Sequence, residues 1–358
     1  MHKRYQLWGL VICLVLLCTL AACKGESSSK DSSKDEKVLT VFNYGDYIDV
    51  QTLKMFEKET GIKVKYEQYV TPEDMYTKYQ SGAIDYDLIC TSDYMIEKMI
   101  RARQVEKVDK RNMKYLGNID KRYLKFCQSF DPKNEYAVPY FWGTVGILYN
   151  KKMVKEPVNS WSILWDKQYK DEIVMENSMR DAFLVPLKWK GKSLNSKNKE
   201  ELNQALHLLE DQKSILEAYL VDESRDAMIA GDAAMAVVYS GDATIAIDSN
   251  PDLAYTVPEE GSNIWFDCWF IPDSCRHKKA AEQFIDFMNR EDVAMKNFNY
   301  IYYGTPNKAV YDQLDQETKE DPTIFPPDSV LEKCEVYKYL GSDMDKYYND
   351  LWKELKSR

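Results

Sequence analysis

The residues best suited to chemistry in this chain are carboxylates beside aromatic rings, at points where a predicted strand gives way to a helix. Four such clusters occur along the sequence: Tyr44-Gly45-Asp46-Tyr47, Ser92-Asp93-Tyr94, Tyr239-Ser240-Gly241-Asp242 and Trp265-Phe266-Asp267. Ligands of α/β proteins bind beyond the carboxyl ends of strands, which is where these clusters fall. Asp267 is the strongest single candidate. It lies inside an apolar strand predicted at 264–271, where a carboxylate is costly unless it lines a cleft or has a partner.

Rings and carboxylates together suit an elongated organic cation. An aromatic face attracts an ammonium by about 0.5–1 kcal/mol when exposed and by about 2 kcal/mol or more when desolvated. Each buried methylene adds roughly 0.8 kcal/mol, so four supply about 3 kcal/mol, short of the roughly 8 kcal/mol of a micromolar affinity. Carboxylates must therefore meet each charged nitrogen. A neutral sugar would need mixed donors and acceptors, so the clusters favour a cation.

Each cluster also has a structural interpretation. A single tyrosine or tryptophan near a strand end is more often packing than ligand contact, and Asp46 and Asp242 precede predicted helices that they could cap. Metal binding, histidine catalysis and nucleotide binding find little support in the sequence. Beyond the first 22 residues the only histidines are His207 and His277, and the chain has no P-loop, GxGxxG, HExxH, GxSxG or EF-hand motif. We therefore expect no metal site and no cofactor.

The elements that must position these clusters alternate between strand and helix. Strands are predicted at 38–43, 62–69 and 86–90, and each is followed by a segment with helical spacing. Thr71 is predicted to be the N-cap residue of the second helix. Three βα units in succession predict a mostly parallel sheet covered by helices. The apolar segment 137–149 is long enough to cross from one domain to another, and its glycines favour hinge flexibility.

The first residues have the pattern of a lipoprotein signal peptide, in which basic and apolar residues precede small residues and a cysteine. We predict a signal peptide at 1–22, lipidation of Cys23 and a flexible tether over 23–37. The alternative is an uncleaved anchor, although the apolar run is shorter than the roughly 20 residues that span a bilayer. In both cases we expect the globular part to lie outside the cell. With the lipid on Cys23, the protein is expected to be lipid-anchored at the outer face of the cytoplasmic membrane or in the periplasmic space.

Size and charge set further limits. The chain has 358 residues, and roughly 320 of them follow the tether, which is too many for one core and suits two domains. Without Lys3 and Arg4 the net charge of −10 becomes −12, because 46 basic residues then face 58 acids, and this balance disfavours nucleic acid. Five cysteines follow Cys23 without zinc-site spacing, and Cys268 and Cys275 could pair across a turn.

Taken in order, several segments resemble the spermidine/putrescine-binding proteins of polyamine ABC transporters, within the extracellular solute-binding superfamily. The segments are 41–47 (VFNYGDY), 58–64 (KETGIKV), 86–99, 138–143 (VPYFWG), 160–165, 179–183 (MRDAF), 239–243 (YSGDA), 265–272 and 304–307 (GTPN). No single motif is diagnostic, but their order over the whole chain is.

The resemblance implies an α/β, two-lobed periplasmic-binding-protein-like fold. Each lobe is expected to be a central, mostly parallel sheet flanked by helices, with the ligand cleft between the lobes. We predict that 38–143 and 262–312 form lobe 1 and that 144–261 and 313–358 form lobe 2. Such a protein makes no bonds: an open form captures the ligand, and contacts to both lobes favour closure.

By position, the resemblance also assigns ligand contacts. The residues whose aromatic rings are expected to surround a polyamine chain are Tyr44, Tyr47, Tyr94, Tyr239 and Trp265. Asp181 and Asp267 match carboxylates that hold amino groups, and Ser92 matches a hydroxyl contact.

The chain departs from the family pattern at four positions. Tyr44 and Tyr239 stand where some relatives carry Trp. Ser178 stands where some carry a second carboxylate, and Tyr337 replaces an amide side chain. Ser178 and Tyr337 belong to the predicted site, and their identity leaves the preference between spermidine and putrescine open.

The prediction is a monomeric, lipid-anchored receptor that is not an enzyme and that passes polyamines to ABC permease subunits. Two alternatives stay open. One is a receptor for ferric iron or another solute, since phenolates and carboxylates bind hard metals and Tyr302-Tyr303 and Tyr347-Tyr348 supply neighbouring phenols. The other is a secreted glycoside hydrolase, which needs two carboxylates about 5–10 Å apart.

Overall fold

The computed structural model describes residues 38–357. The chain divides into two units, Met1–Lys37 and Val38–Arg358, and every element discussed below belongs to the second. The predicted signal peptide at 1–22, Cys23 and the tether over 23–37 lie outside the described residues. Over 38–357, no helix is both long and apolar enough to cross a bilayer.

Ten strands of the described residues form one continuous hydrogen-bonded array, which consists of two sheets that share a strand. They are β1 (Val38–Tyr44), β2 (Lys63–Tyr69), β3 (Leu88–Ser92), β4 (Val105–Glu106), β5 (Ala137–Asn150), β6 (Ile173–Glu176), β7 (Leu216–Leu220), β8 (Met235–Tyr239), β9 (Leu253–Thr256) and β10 (Ile264–Pro272).

Fourteen α-helices of the same region cover this array. They are α1 (Val50–Thr60), α2 (Pro72–Gln80), α3 (Asp93–Arg101), α4 (Lys121–Cys127), α5 (Met179–Trp189), α6 (Lys199–Gln212), α7 (Glu223–Ala230), α8 (Ser240–Ser249), α9 (Lys278–Met288), α10 (Glu291–Ile301), α11 (Lys308–Gln313), α12 (Gln316–Glu320), α13 (Asp328–Leu331) and α14 (Ser342–Ser357). Short 3₁₀ helices occur at Lys110–Asn112, Leu116–Asn118, Trp161–Trp165 and Lys167–Tyr169.

The strand order β2-β1-β3-β10-β5-β8-β6-β7 makes β5 the shared strand of two sheets, with β4 on β10 and β9 on β5. In the first sheet β1 pairs in parallel with β2 and β3, and β10 is antiparallel to both β3 and residues 137–144 of β5. In the second sheet β6 pairs in parallel with β7 and β8, whereas residues 145–150 of β5 pair antiparallel with β8 and β9. The predicted α/β class is confirmed, and the antiparallel pairs are those made by the crossing strands.

Local signals explain where the first helices begin and end. The Thr71 side chain accepts from the Asp74 N–H and caps α2, as predicted, while Gly61 closes α1 in the left-handed conformation at φ 70°. The predicted capping role of Asp46 is wrong. Asp49 caps α1 by accepting from the Gln51 N–H, because Asp46 lies three residues too early, in a turn at φ 49°.

The crossing strand β10 separates two hydrophobic clusters of the first sheet. All nine of its residues are buried, which matches its nearly continuous apolar sequence. Phe266 and Phe270 face one cluster, and Trp269 and Ile271 face the other, as expected for the two-residue period of a strand. Asp267 therefore shares the face of Trp269 and Ile271.

The C-terminal part of the chain contacts both sheets. The Phe325 ring lies 6.4 Å from that of Phe298, and Leu331 belongs to a cluster of the first sheet. Farther on, Leu351 and Leu355 of α14 pack into the core of the second sheet. The lobe boundaries stay a prediction. All five cysteines between residues 38 and 357 are free, Cys268 and Cys275 included.

Candidate functional site

Asp267 lies in the middle of β10, held between two strands. Its Cα is in register with Ser92 on β3 and Phe141 on β5. The residue is 7% exposed, and the Tyr44 hydroxyl donates to its Oδ1 at 3.4 Å. Burial raises the pKa of Asp267 to about 7, although the neighbouring phenols of Tyr47 and Tyr44 act in the opposite direction. A buried carboxylate with so few bonds favours a cation as its partner.

Asp181 forms a second acidic position, with more bonds than Asp267. It lies in the first turn of α5, where the helix dipole favours a negative charge. The Tyr239 hydroxyl donates to Oδ2 at 2.8 Å and the Tyr337 hydroxyl donates to Oδ1 at 2.9 Å. The neighbouring Arg180 instead lies over the Tyr337 ring, 4.4 Å from its centroid. Asp181 is thus held by two phenols, each on one carboxylate oxygen.

Five aromatic rings connect these two carboxylates in a continuous row, called the ring wall below. Neighbouring ring centroids lie 5.5 Å apart for Tyr44–Tyr47, 6.0 Å for Tyr47–Tyr303, 4.9 Å for Tyr303–Trp265 and 6.2 Å for Trp265–Tyr239. The first ring contacts Asp267 and the last contacts Asp181. The two acids therefore border one aromatic surface, and are called its Asp267 end and Asp181 end.

Strand geometry explains why residues so distant in sequence meet here. Tyr44 is the last residue of β1 and Tyr239 is the last residue of β8, so both lie at the carboxyl end of a strand. Trp265 lies on β10, directly across from Gly143 of β5. A Cβ at Gly143 would lie 2.5 Å from the Trp265 ring and 2.7 Å from the Ser240 hydroxyl oxygen. Close packing thus gives this glycine a role besides the predicted hinge flexibility.

The other predicted site residues lie at helix starts. Tyr94 is in the first turn of α3, with its ring 6.2 Å from that of Tyr337 and its hydroxyl donating to Glu73 at 3.0 Å. Ser92 and Ser178 occupy the N-cap positions of α3 and α5, but neither side chain makes a capping hydrogen bond. The ligand-contact roles of these residues stay predictions.

Several buried polar atoms of the site lack a partner. Among the described residues, the Tyr47 hydroxyl, the Ser92 Oγ and the Trp265 Nε1 make no hydrogen bond. An unsatisfied buried polar group costs about 1–3 kcal/mol, so natural proteins keep few of them. Three in one site indicate hydrogen-bonding capacity that a ligand can use.

Two residues of this region were missed as site members or assigned another role from sequence. Tyr303 is the central ring of the wall, although the sequence indicated it only as half of a tyrosine pair beside the 304–307 segment. Asp242 lies in the first turn of α8 and accepts from the Tyr303 hydroxyl at 3.3 Å. Burial raises the pKa of Asp242 to about 6, while Arg225, 3.4 Å away, lowers it.

Asp93 has a structural role despite its place in a predicted cluster. It is fully buried and accepts from the Phe266 N–H at 3.2 Å and from the Tyr94 N–H at 2.7 Å. These bonds fix the start of α3 against β10. Asp93 thereby positions Tyr94 and Asp267 rather than facing a ligand.

The phenols of the ring wall lie in a desolvated environment. Burial raises the pKa of Tyr44, Tyr47, Tyr239 and Tyr303, so in the metal-free protein these phenols are held in the neutral form. Over 38–357, no three or more His, Cys, Asp or Glu side chains are grouped to hold a metal ion.

Comparison with known families gives the class of protein to which this chain belongs. The model of the family described as "Bacterial extracellular solute-binding protein" matches residues 51–326. The chain therefore belongs to the bacterial extracellular solute-binding proteins, a family that works outside the cytoplasm.

Individual relatives agree with the resemblance found in the sequence, which is confirmed. The chain is 31% identical to the spermidine/putrescine-binding periplasmic protein of Salmonella typhimurium, covering 96% of this chain and 97% of the relative. Among solved structures, the spermidine/putrescine ABC transporter substrate-binding protein PotD of Streptococcus pneumoniae is 37% identical with a TM-score of 0.80, covering 90% and 99% of the two chains. A putative spermidine/putrescine ABC transporter from Listeria monocytogenes is 37% identical with a TM-score of 0.84, covering 89% and 99%.

Proposed function

We propose that this protein binds a polyamine, spermidine or putrescine, along the ring wall and delivers it to the permease subunits of an ABC transporter. The observation that carries the proposal is the row of five rings joining two buried carboxylates, Asp267 and Asp181. Such a row accommodates the methylenes of an alkylamine, while the carboxylates meet its charged nitrogens. The spermidine/putrescine-binding relatives described above support the same ligand class.

The two sheets that share β5 suggest how the ligand is enclosed. We propose that they are the cores of the two predicted lobes, since Tyr44 and Asp267 belong to the first sheet and Tyr239 and Asp181 to elements of the second. A ligand touching both ends favours a closed form over an open one, and only contacts made in the closed form shift that equilibrium. The protein carries out no reaction and acts as a monomer in this proposal.

The proposed anchor is the lipid on Cys23, joined to the globular part by the tether over 23–37. It would hold the receptor beside its permease on the outer face of the membrane. Mass spectrometry of the cell-derived protein tests it: a diacylglyceryl mass on a chain beginning at Cys23 supports the anchor, and an unmodified cysteine contradicts it.

Calorimetric titration with putrescine, spermidine and spermine tests the ligand assignment. Wild-type protein should bind at least one of them with micromolar or tighter affinity, and Asp267→Asn should weaken that binding strongly. Asp248→Asn is a matched control, because Asp248 is an exposed residue near the end of α8 and the substitution removes the same charge. Wild-type affinity in Asp267→Asn, or equal losses in both variants, would contradict the proposal.

A further inference from the structure

The most unusual titratable group outside the predicted site is Glu176, the last residue of β6. It is 2% exposed, and its Oε1 makes no hydrogen bond within the described residues. Its Cα pairs with Leu220 of β7, and the Asn177 N–H donates to the Leu220 carbonyl oxygen at 2.8 Å. The backbone therefore fixes where this carboxyl group lies, at the carboxyl end of a parallel strand.

The surroundings of Glu176 are acidic on several sides. Burial raises its pKa first, and the charges of Asp181, Asp242 and Asp222 raise it further. These acids belong to the starts of α5, α8 and α7 respectively. The charge of Glu176 in turn raises the pKa of Tyr239, at the end of β8, and of Tyr303.

Within the described residues only one of these acids has a basic partner in an ion pair, although Arg180 is next to Asp181 in sequence and the Lys356 ammonium donates to the Asn177 side chain at 3.1 Å. Arg225 is 3.4 Å from Asp242 and is the one basic side chain that the described residues place in an ion pair with this group. Of the four acids, Asp242 is paired with this arginine and Asp181 is held by two phenols, while Glu176 Oε1 is buried without a hydrogen bond. Leaving a carboxylate so arranged is costly unless a cation completes it.

We propose that Glu176 is a further ligand-binding carboxylate, which together with Asp181 and Asp242 receives an ammonium group at the Asp181 end of the ring wall. This inference rests on the proposed function. It also accounts for Ser178, two residues away, where the resemblance led us to expect a second carboxylate in some relatives. In this chain the second acid at that end is supplied from β6 instead of from the start of α5.

Proton release provides a readout specific to this role. Burial raises the pKa of Glu176 in the free protein, whereas an ammonium beside it favours the charged form, so binding should shift this group towards release of a proton to the buffer. Asp267 and Asp242 also contribute protons, since their pKa values are raised as well. The contribution of Glu176 is therefore the difference between wild type and a variant that lacks only this acid.

The experiment is calorimetric titration of putrescine and spermidine at pH 7 in two buffers of different ionisation enthalpy. Glu176→Gln should weaken binding at least tenfold and reduce the number of protons released, without lowering the unfolding temperature of the free protein. Glu176→Asp should restore proton release while affinity stays reduced, because the carboxylate is retained one methylene short. Glu172→Gln is the matched control at the opposite end of β6 and should match wild type in both measurements.

Three other results would contradict the role of Glu176, and they differ in what they imply for the proposed function. Polyamine binding and proton release unchanged in Glu176→Gln would overturn the role of Glu176 and leave the proposed function standing. A lowered unfolding temperature with unchanged affinity would assign Glu176 a structural role and overturn the inference as well. No binding of any polyamine by the wild type would overturn both proposals.

Discussion

The two ends of the ring wall hold their carboxylates in opposite ways. At the Asp267 end the acid lies within a strand, with one long hydrogen bond from Tyr44 and a pKa raised to about 7. At the Asp181 end the acid lies in the first turn of a helix, and two tyrosine hydroxyls occupy its two oxygens. In the proposed function, a bound cation supplies the partner that the first carboxylate lacks. The second is already oriented, so its ligand contact should contribute less.

The largest effect expected from this difference is on binding. Replacing Asp267 with Asn leaves an ammonium on the ring wall without its counter-charge, and truncating one partner of a buried charge pair costs about 2–5 kcal/mol. Polyamine affinity should therefore fall by about 30-fold to several thousand-fold. Calorimetry beside Asp181→Asn sharpens the comparison. If Asp181→Asn causes the greater loss, the proposed inequality between the two ends is wrong.

The pH dependence should also follow the Asp267 end. Its raised pKa means that the free protein binds a proton below about pH 7, whereas a bound ammonium requires the charged carboxylate. Affinity should fall by up to about tenfold per pH unit below that value. Titrations between pH 8 and pH 5.5 measure this, and Asp267→Asn should flatten the curve. An identical slope in the variant would assign the dependence to other acids.

A smaller loss is expected from the hydroxyls that orient Asp181. Tyr337→Phe removes the donor to Oδ1, and a hydrogen bond to a charged group contributes about 1.5–3 kcal/mol, part of which the ligand can replace. We expect affinity to fall about fivefold. Tyr347→Phe is the control, since the hydroxyl of this α14 residue donates to the Asn203 side chain in a solvent-exposed hydrogen bond. Equal effects of the two substitutions would argue against an orienting role for Tyr337.

The smallest effect, and one of opposite sign, concerns stability. Because the folded-state pKa of Asp267 is above that of the unfolded chain, the folded state loses stability as pH rises towards and through about 7. Asp267→Asn should therefore raise the unfolding temperature of the ligand-free protein at pH 8 by a few degrees, at about 2–4 °C per kcal/mol. Thermal unfolding at pH 5 and pH 8 checks this. If Asp267→Asn instead unfolds at a lower temperature than the wild type at pH 8, the carboxylate stabilises the fold and the prediction is wrong.

Much of this architecture could be predicted from the sequence because its signals are local. The strand at β10, the crossing segment at β5 and the cap at Thr71 each follow from neighbouring residues. The pairing of carboxylates with rings at strand ends likewise marked Asp267 and Tyr239. The family resemblance added Asp181 and Tyr337, whose neighbours alone gave no such signal.

The features that were missed depend on contacts distant in sequence. Tyr303 becomes the centre of the wall because Tyr47 and Trp265 lie on either side of it. Glu176 follows an apolar strand like many solvated acids, and the acids that act on its pKa lie at the starts of three separate helices. Asp49 replaced Asp46 as the cap of α1 because a turn with positive φ delays the helix by three residues.

The strand β5 imposes a constraint on how this gene can change. Its first half is registered to β10 and its second half to β8 and β9, with no loop between them to absorb a change in length. Inserting or deleting one codon near position 144 would turn one half over and exchange its inward and outward side chains. Lineages of this receptor should vary freely in connecting loops while conserving the number of residues between Ala137 and Asn150.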